Sequence, residues 1–336
     1  MTTSLRVGLL GCSSVARRKT LPALRSANAR VTAVAARSPE RAAAVADPLG
    51  AAVRGYHDLV TGDDVDAVYV SLPNASHFEW TRRALLAGKH VLCEKPLTTT
   101  AAQTRELVAI AARQGLVLRE NFTFPYHPQH AEVRAMLDAG RVGPLRTFAA
   151  TFRIPPLPGG DIRYQPGLGG GSLLDAGVYP LRAARLLLGR GLTVDGAALR
   201  VDKTRDVDVA GHVLLVSPDG VFASLEFGFQ HGYRSRYTYS GGSGSITLDR
   251  AFTPPPTWRP VVLVEEQDRR EELTLPAADQ FALAVDSFAT AALRGPDPAV
   301  EAEAGDLSTD TARLVDEVLT SAVRVPDQPT HQEVGS

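Results

Sequence analysis

Three stretches hold residue types suited to moving a proton beside a bound nucleotide. Glu94-Lys95-Pro96 follows the apolar run His90 to Cys93, which sets an ionisable amine where a short strand should end. Of 36 cationic residues only Lys19, Lys89, Lys95 and Lys203 are lysine. Arginine stays protonated in ordinary sites whereas lysine can release its proton, so each lysine here is informative. Gly169-Gly170-Gly171-Ser172-Leu173-Leu174-Asp175-Ala176-Gly177-Val178-Tyr179 sets Asp175 and Tyr179 four residues apart. On a helix beginning near Ser172 they share a face, and carboxylate and phenol can reach one point. A structural role competes, because Ser172 with Asp175 three residues on also reads as a capping box. Gly11-Cys12-Ser13-Ser14-Val15-Ala16 is a GxGxxA pattern with Ser13 at its second glycine, directly after an apolar run and before a helical pattern. Such a helix start presents free N–H groups and a positive dipole end to a pyrophosphate; an ordinary strand-to-helix turn is the alternative.

These residues need a sheet to hold them. Leu5 to Leu10, Val31 to Ala35, Ala52 to Val53, Ala67 to Leu72, His90 to Cys93 and Val117 to Arg119 read as strands. Val15 to Ser26, Pro39 to Ala46, His77 to Ala87 and Thr100 to Gln114 read as the helices between them. That alternation predicts a doubly wound parallel sheet, in which ligands lie beyond the carboxyl ends of the strands. The Gly11 turn, the segment Ser71-Leu72-Pro73-Asn74-Ala75-Ser76-His77 and the Glu94-Lys95-Pro96 turn then face one crevice. The second strand is followed by Ala36-Arg37-Ser38-Pro39-Glu40-Arg41, where a site for NAD usually carries a carboxylate for the ribose hydroxyls. Arg37 and Ser38 instead suit a 2'-phosphate, so NADP is expected, with a solvated arginine loop as the alternative.

After Asn121 short strands crowd together: Leu145 to Ile154, Val213 to Val216, Val221 to Phe229, Tyr233 to Tyr239, Ser245 to Leu248 and Val261 to Glu265. Helical patterns at Ser172 to Leu188, Gln280 to Leu293 and Asp310 to Ala322 accompany them, and Pro155 to Gly171 is long enough to be an active-site loop. The expected fold class is α/β. A Rossmann dinucleotide-binding domain (residues 1–122) precedes an α+β domain on an open, mainly antiparallel sheet (residues 123–325). Residues 326–336 are expected to fray.

Composition narrows the partners. A net charge of -1 gives no unbalanced field for nucleic acid or anionic lipid. No run approaches the roughly 20 apolar residues of a membrane span, and Leu9-Leu10-Gly11-Cys12 lacks the apolar stretch of a secretory leader. Two cysteines, Cys12 and Cys93, suit a reducing cytoplasm. The eight histidines show no metal-ligand spacing, His127-Pro128-Gln129-His130 included, so no metal is expected.

Together, Gly-Cys-x-x-x-Ala, Leu-Pro-Asn-x-x-His, Cys-Glu-Lys-Pro and Gly-Gly-Gly-Ser-Leu-Leu-Asp-x-Gly-x-Tyr closely resemble the glucose-fructose oxidoreductase, inositol dehydrogenase and rhizopine-catabolism family over nearly the whole chain. Tyr179 stands where inositol-type members carry histidine, which resembles the sugar-reducing and dihydrodiol branches. The run Arg119 to His130, with Asp249 to Pro255, looks most like the nucleotide-sugar 3-ketoreductases of deoxysugar biosynthesis. The resemblance implies hydride transfer from NADPH to the C3 ketone of a nucleotide-linked 3,4-diketo-2,6-dideoxyhexose. Lys95 is the first choice of acid; Tyr179 can share or deliver the proton, with a phenolate favoured by the Lys95 cation, and Asp175 orients the pair. Cofactor contacts are assigned to Gly11, Cys12, Ser13, Ser14, Val15, Arg37, Ser38, Tyr56, Leu72, Asn74, His77, Glu94, Arg163 and Asp175. Substrate contacts are assigned to Arg18, Tyr237 and Thr253, with Arg236 as a bare charge for the nucleotide pyrophosphate. The resemblance also implies a homodimer or homotetramer. Two other readings stay open: a family dehydrogenase acting on a free sugar or trans-dihydrodiol, and a non-catalytic dinucleotide sensor on the same fold.

Overall fold

The computed structural model describes residues 4–327. The first half alternates β1 (Leu5–Leu10), α1 (Leu21–Ser26), β2 (Ala29–Ala35), α2 (Pro39–Ala46), β3 (Ala52–Val53), α3 (Tyr56–Thr61), β4 (Ala67–Val70), α4 (His77–Leu86), β5 (His90–Cys93), α5 (Ala101–Gln114) and β6 (Leu118–Glu120). All six strands pair in parallel in the order β3-β2-β1-β4-β5-β6. Strands buried on both faces need apolar residues at every position, which is why they read as continuous runs. The order reverses between β1 and β4, and that switch opens a crevice at the strand ends. The helical pattern Val15 to Ser26 is a π-turn, Ala16–Thr20, running into α1.

The second half holds α6 (Pro128–Asp138), β7 (Leu145–Arg153), α7 (Val178–Leu188), β8 (Thr193–Asp202), β9 (Val207–Val216), β10 (Phe222–Gly228), β11 (Arg234–Gly241), β12 (Gly244–Asp249), β13 (Val261–Glu266), β14 (Arg269–Thr274), α8 (Gln280–Arg294), α9 (Pro298–Ser321) and β15 (Val323–Pro326). Nine strands form one sheet, antiparallel except where β10 meets β7 and β15 meets β8. One face carries Phe148, Phe152, Phe227, Tyr237 and Tyr239 into a large buried cluster with α7 and α9. The other face is open.

The two halves are sewn together by returning chain. Val285, Phe288 and Ala289 of α8 lie in the same buried cluster as Leu9, Val34 and Tyr69 of the parallel sheet. On α9, Glu301 pairs with Arg119 and Asp316 accepts from the Ala101 N–H at 2.9 Å. The expected frayed tail needs correction at its start: Pro326 belongs to β15, and the Asp327 N–H donates to the Val201 carbonyl at 2.8 Å. Residues 328–336 lie outside the described residues. No helix among the described residues is long and apolar enough to cross a membrane.

Candidate active site

Lys95 stands one residue beyond Glu94 at the end of β5, before a cis peptide to Pro96. Its ammonium donates to Asp175 twice, to the backbone carbonyl at 2.9 Å and to Oδ1 at 2.7 Å. Asp175 Oδ2 accepts from Arg163 Nε at 2.8 Å, and Arg163 also pairs with Asp161. The Tyr179 ring lies 5.3 Å from the ammonium and packs edge-on against Phe122 and Phe152. Asp175 sits in a π-turn, Leu173–Gly177, that leads into α7. The capping-box expectation for Ser172 does not hold. Its hydroxyl donates to Asp208 of β9, which also accepts from the Leu173 N–H at 2.6 Å. A carboxylate from the neighbouring sheet thus satisfies the helix start, leaving Asp175 for Lys95 and Arg163.

Burial alone would raise the Asp175 pKa, but the Lys95 and Arg163 cations outweigh it and hold the carboxyl at about 2. A depressed folded value contributes stability that is fully present above an unfolded pKa of about 4 and is lost as pH falls through about 2. Asp175→Asn should therefore flatten the stability profile across that acid window, read by denaturant unfolding at a series of pH values. Tyr179 goes the other way. Burial, then the Asp175 and Glu94 charges, push its phenol above the ordinary value. The expected phenolate is thereby corrected: Tyr179 remains a neutral hydroxyl.

A cavity of about 600 Å³ opens over the strand ends. Ser13, Ser14, Val15 and Arg18 line it from the first turn, Leu72, Asn74 and His77 from the end of β4, and Glu94 and Lys95 from β5; Arg163 and Asp175 face them. Gly11 has φ +97°, and a Cβ there would sit 2.4 Å from the Ser71 carbonyl oxygen, so only glycine fits. The Ser13 hydroxyl turns inward to Ser71 Oγ and accepts the Ala16 N–H at 3.1 Å. His77 spans two turns, with its ring nitrogens 2.7 Å from the Pro96 carbonyl and 2.8 Å from that of Leu72. Asn74 donates to the Gly169 carbonyl at 2.8 Å, docking the Pro155 to Gly171 loop over the crevice.

The family model described as "Oxidoreductase family, NAD-binding Rossmann fold" matches residues 5–122, and "GFO/IDH/MocA C-terminal domain" matches residues 130–247. The chain belongs to the Gfo/Idh/MocA oxidoreductase family. It is 50% identical over 320 residues to the dTDP-3,4-didehydro-2,6-dideoxy-alpha-D-glucose 3-reductase of Actinomadura kijaniata, covering 95% of this chain and 96% of the relative. The enzyme of the same description from Streptomyces violaceoruber is 49% identical over 96% of this chain and 95% of its own. A crystal structure of a 3-ketoreductase from Actinomadura kijaniata in complex with NADP and TDP-benzene superposes with TM-score 0.93 at 49% identity, covering 97% of this chain and 100% of that one.

Against this Gfo/Idh/MocA frame the remaining assignments divide. At the end of β2, Arg37 is exposed, while Ser38 caps α2 by accepting the Arg41 N–H at 3.2 Å and donates to Glu40 at 2.6 Å. Glu40 therefore takes the Ser38 hydroxyl hydrogen that the sequence offers to a 2'-phosphate. Tyr56 lies within the field of Arg37 and Arg41, edge-on to Trp80. Cys12 is buried, and burial pushes its thiol pKa up. Tyr237 is corrected: it is fully buried, its hydroxyl bonded to His130 at 2.9 Å, and no ligand in the cavity can touch it. Arg236 is corrected as well. Its guanidinium is held by both Asp249 oxygens, at 2.7 and 2.6 Å, in a separate cleft, so it is no bare charge. Thr253 is bonded at 2.7 Å to Tyr233, an exposed residue that lines the same separate cleft as Arg236. Tyr233, which the sequence places at the start of a strand running to Tyr239, stands just before β11, which begins at Arg234.

Proposed function

We propose that this protein reduces the C3 ketone of a dTDP-linked 3,4-diketo-2,6-dideoxyhexose with NADPH, in deoxysugar biosynthesis. The observation that carries the reading is the convergence of Lys95, Asp175 and Arg163 on a cavity at the sheet's switch point, with the Tyr179 ring beside the Lys95 ammonium, in a chain about half identical throughout to named 3-reductases. The cavity is within the usual size range for a small-molecule site and its turn residues fit a dinucleotide: a glycine at the close approach and serines at the helix start. Bound NADPH supplies the hydride. Lys95 supplies the proton to the developing C3 alkoxide and a positive charge where negative charge grows. Asp175 holds the ammonium in place from two atoms, Arg163 braces Asp175, and the neutral Tyr179 hydroxyl donates a hydrogen bond to the same oxygen. Arg18, on the cavity wall, supplies a polar contact for the sugar or its nucleotide.

Arg37 supports selection of NADP. Arg37→Ala should weaken NADPH by about tenfold, as loss of a charge-assisted hydrogen bond does, and leave NADH nearly unchanged; equal affinity of the unaltered protein for both would remove Arg37 from that role. The open face of the second sheet, where Leu214 and Phe222 are 37% and 52% exposed, supports a homodimer or homotetramer. Two free, buried cysteines support a cytoplasmic site. The deciding assay follows NADPH oxidation with dTDP-3,4-didehydro-2,6-dideoxyglucose generated in situ beside a free-sugar ketone. Turnover on the nucleotide sugar alone is expected. Turnover on the free ketone alone moves the chain to the broader dehydrogenase branch, and none on either revives a sensing role.

A further inference from the structure

Asp208 of β9 reaches the place where the Pro155 to Gly171 loop turns toward α7. Its Oδ2 accepts from the Ser172 hydroxyl at 2.7 Å and from the Leu173 N–H at 2.6 Å. Its Oδ1 lies against Gly171, where a Cβ would come within 2.3 Å of that oxygen. Gly171 also has φ +110°, so glycine is required there on both counts. The β8–β9 register shifts between Arg200 and Val201, with Val201 paired to Asp208, and such a bulge re-aims the side chains beside it. Among the described residues no cation pairs with Asp208, and burial raises its pKa.

A helix start can be capped by the hydroxyl of its own first residue. Ser172 offers that hydroxyl, yet donates it to a carboxylate 36 residues further along the chain, and a carboxylate removed from water without a cation is costly. A local cap travels with its helix, whereas a cap from β9 pins the turn to the sheet. What is pinned is a corner with two arms. On one side the Gly171 N–H donates to the Arg163 carbonyl at 2.8 Å; on the other the Asp175 N–H donates to the Gly171 carbonyl at 3.2 Å. The two arms carry the side chains that meet where Arg163 Nε donates to Asp175 Oδ2. The Asp175 backbone carbonyl also accepts from Lys95 at 2.9 Å. No rotamer can adjust a backbone carbonyl, so its position is set by whatever holds the turn.

We propose that Asp208 is a positioning residue for the reduction: it fixes the corner from which Asp175 and Arg163 hold the Lys95 ammonium. The inference rests on Lys95 as the acid of the reductase reading. Asp208 is not among the residues lining the cavity and acts through Gly171, Ser172 and Leu173. Without it the turn loses its anchor to the sheet, and Asp175 meets Lys95 and Arg163 less closely. Those two cations are what hold the Asp175 carboxyl at about 2, so its titration reports whether the corner is in place.

Asp208→Ala should lower kcat by about ten- to a hundredfold, the loss that a misplacement of about 1 Å brings in a catalytic site. Its Asp175 pKa should rise from about 2 toward the ordinary 3.8, followed by carbon-13 NMR of aspartate-labelled protein with the resonance assigned through Asp175→Asn. Asp208→Asn keeps an oxygen acceptor for Ser172 and Leu173 and should restore both quantities. A cap that only stabilised the fold would lower the unfolding midpoint and leave the Asp175 titration where it is. An Asp175 value still near 2 in Asp208→Ala, or losses that Asp208→Asn does not restore, overturn the proposal. Ser172→Ala, which removes one of the two bonds, is read the same way with a smaller shift should Asp208→Ala fold poorly. Kinetics use whichever ketone the unaltered protein reduces, and the titration needs none. A wrong sugar assignment therefore shows in the unaltered protein, and a wrong positioning role only in the variants.

Discussion

Replacing Lys95 by alanine is expected to lower kcat by roughly two to four orders of magnitude while leaving the dissociation constant of NADPH little changed. The size follows from the two roles proposed for Lys95, as proton source and as the charge facing the alkoxide. Tyr179 cannot take over the charge. Its half-buried ring packs against Phe122, Phe152 and Phe252 and its pKa is pushed upward, so it donates a hydrogen bond but gives up a proton only reluctantly. Tyr179→Phe should consequently cost less than Lys95→Ala. Steady-state kinetics beside fluorescence titration of NADPH reads both quantities; a loss of tenfold or less for Lys95→Ala would transfer the acid role to Tyr179 or solvent. The double variant separates the two, because residues acting as one unit lose far less than the sum of their single effects.

The largest effect on stability is expected at Arg182. This residue of α7 is 3% exposed, pairs with the equally buried Glu120, donates to Ser308 at 3.2 Å and lies 4.4 Å over the Phe122 ring. Glu120 in turn accepts the Leu97 N–H at 2.8 Å, immediately after Lys95-Pro96. One ion pair therefore ties the helix bearing Tyr179 to the turn bearing Lys95. Arg182→Met strands the Glu120 carboxylate and should cost about 3–5 kcal/mol, seen as a lowered midpoint in denaturant unfolding. Arg182→Met with Glu120→Gln should recover most of that loss, since no buried charge is then left alone. A single variant as stable as the parent would show that water already satisfies Glu120.

Much of the first domain is legible in the chain because parallel strands covered by helices are short apolar runs. β1, β4 and β5 all appear that way. The second domain reads less well. β8 contains Asp195 and Gly196, and β14 is mostly charged, so neither shows the apolar signal of a strand; both are recruited by pairing with β9 and β13. The first half of α9 was missed for a similar reason. Its alternating glutamates and Gly305 give little periodicity, and the helix stands by packing against α5 and α7.

The same division runs through the site. Lys95, Asp175 and Tyr179, and the turns that hold them, follow from residue type and spacing, because a lysine closing a buried strand and an i, i+4 pair on a helix have few places to go. Arg163 joins them by its loop. The tyrosines of the β11 region do not follow. Tyr237 and Tyr239 alternate with Arg236 and Thr238, and a tyrosine fits either face, having an apolar ring and a polar tip. Only the pairing of β11 with β7 and β12 turns Tyr237 inward to His130 and Arg236 outward to Asp249. Local sequence carries the chemistry and the strand period. Which face meets the core is decided by what packs across it.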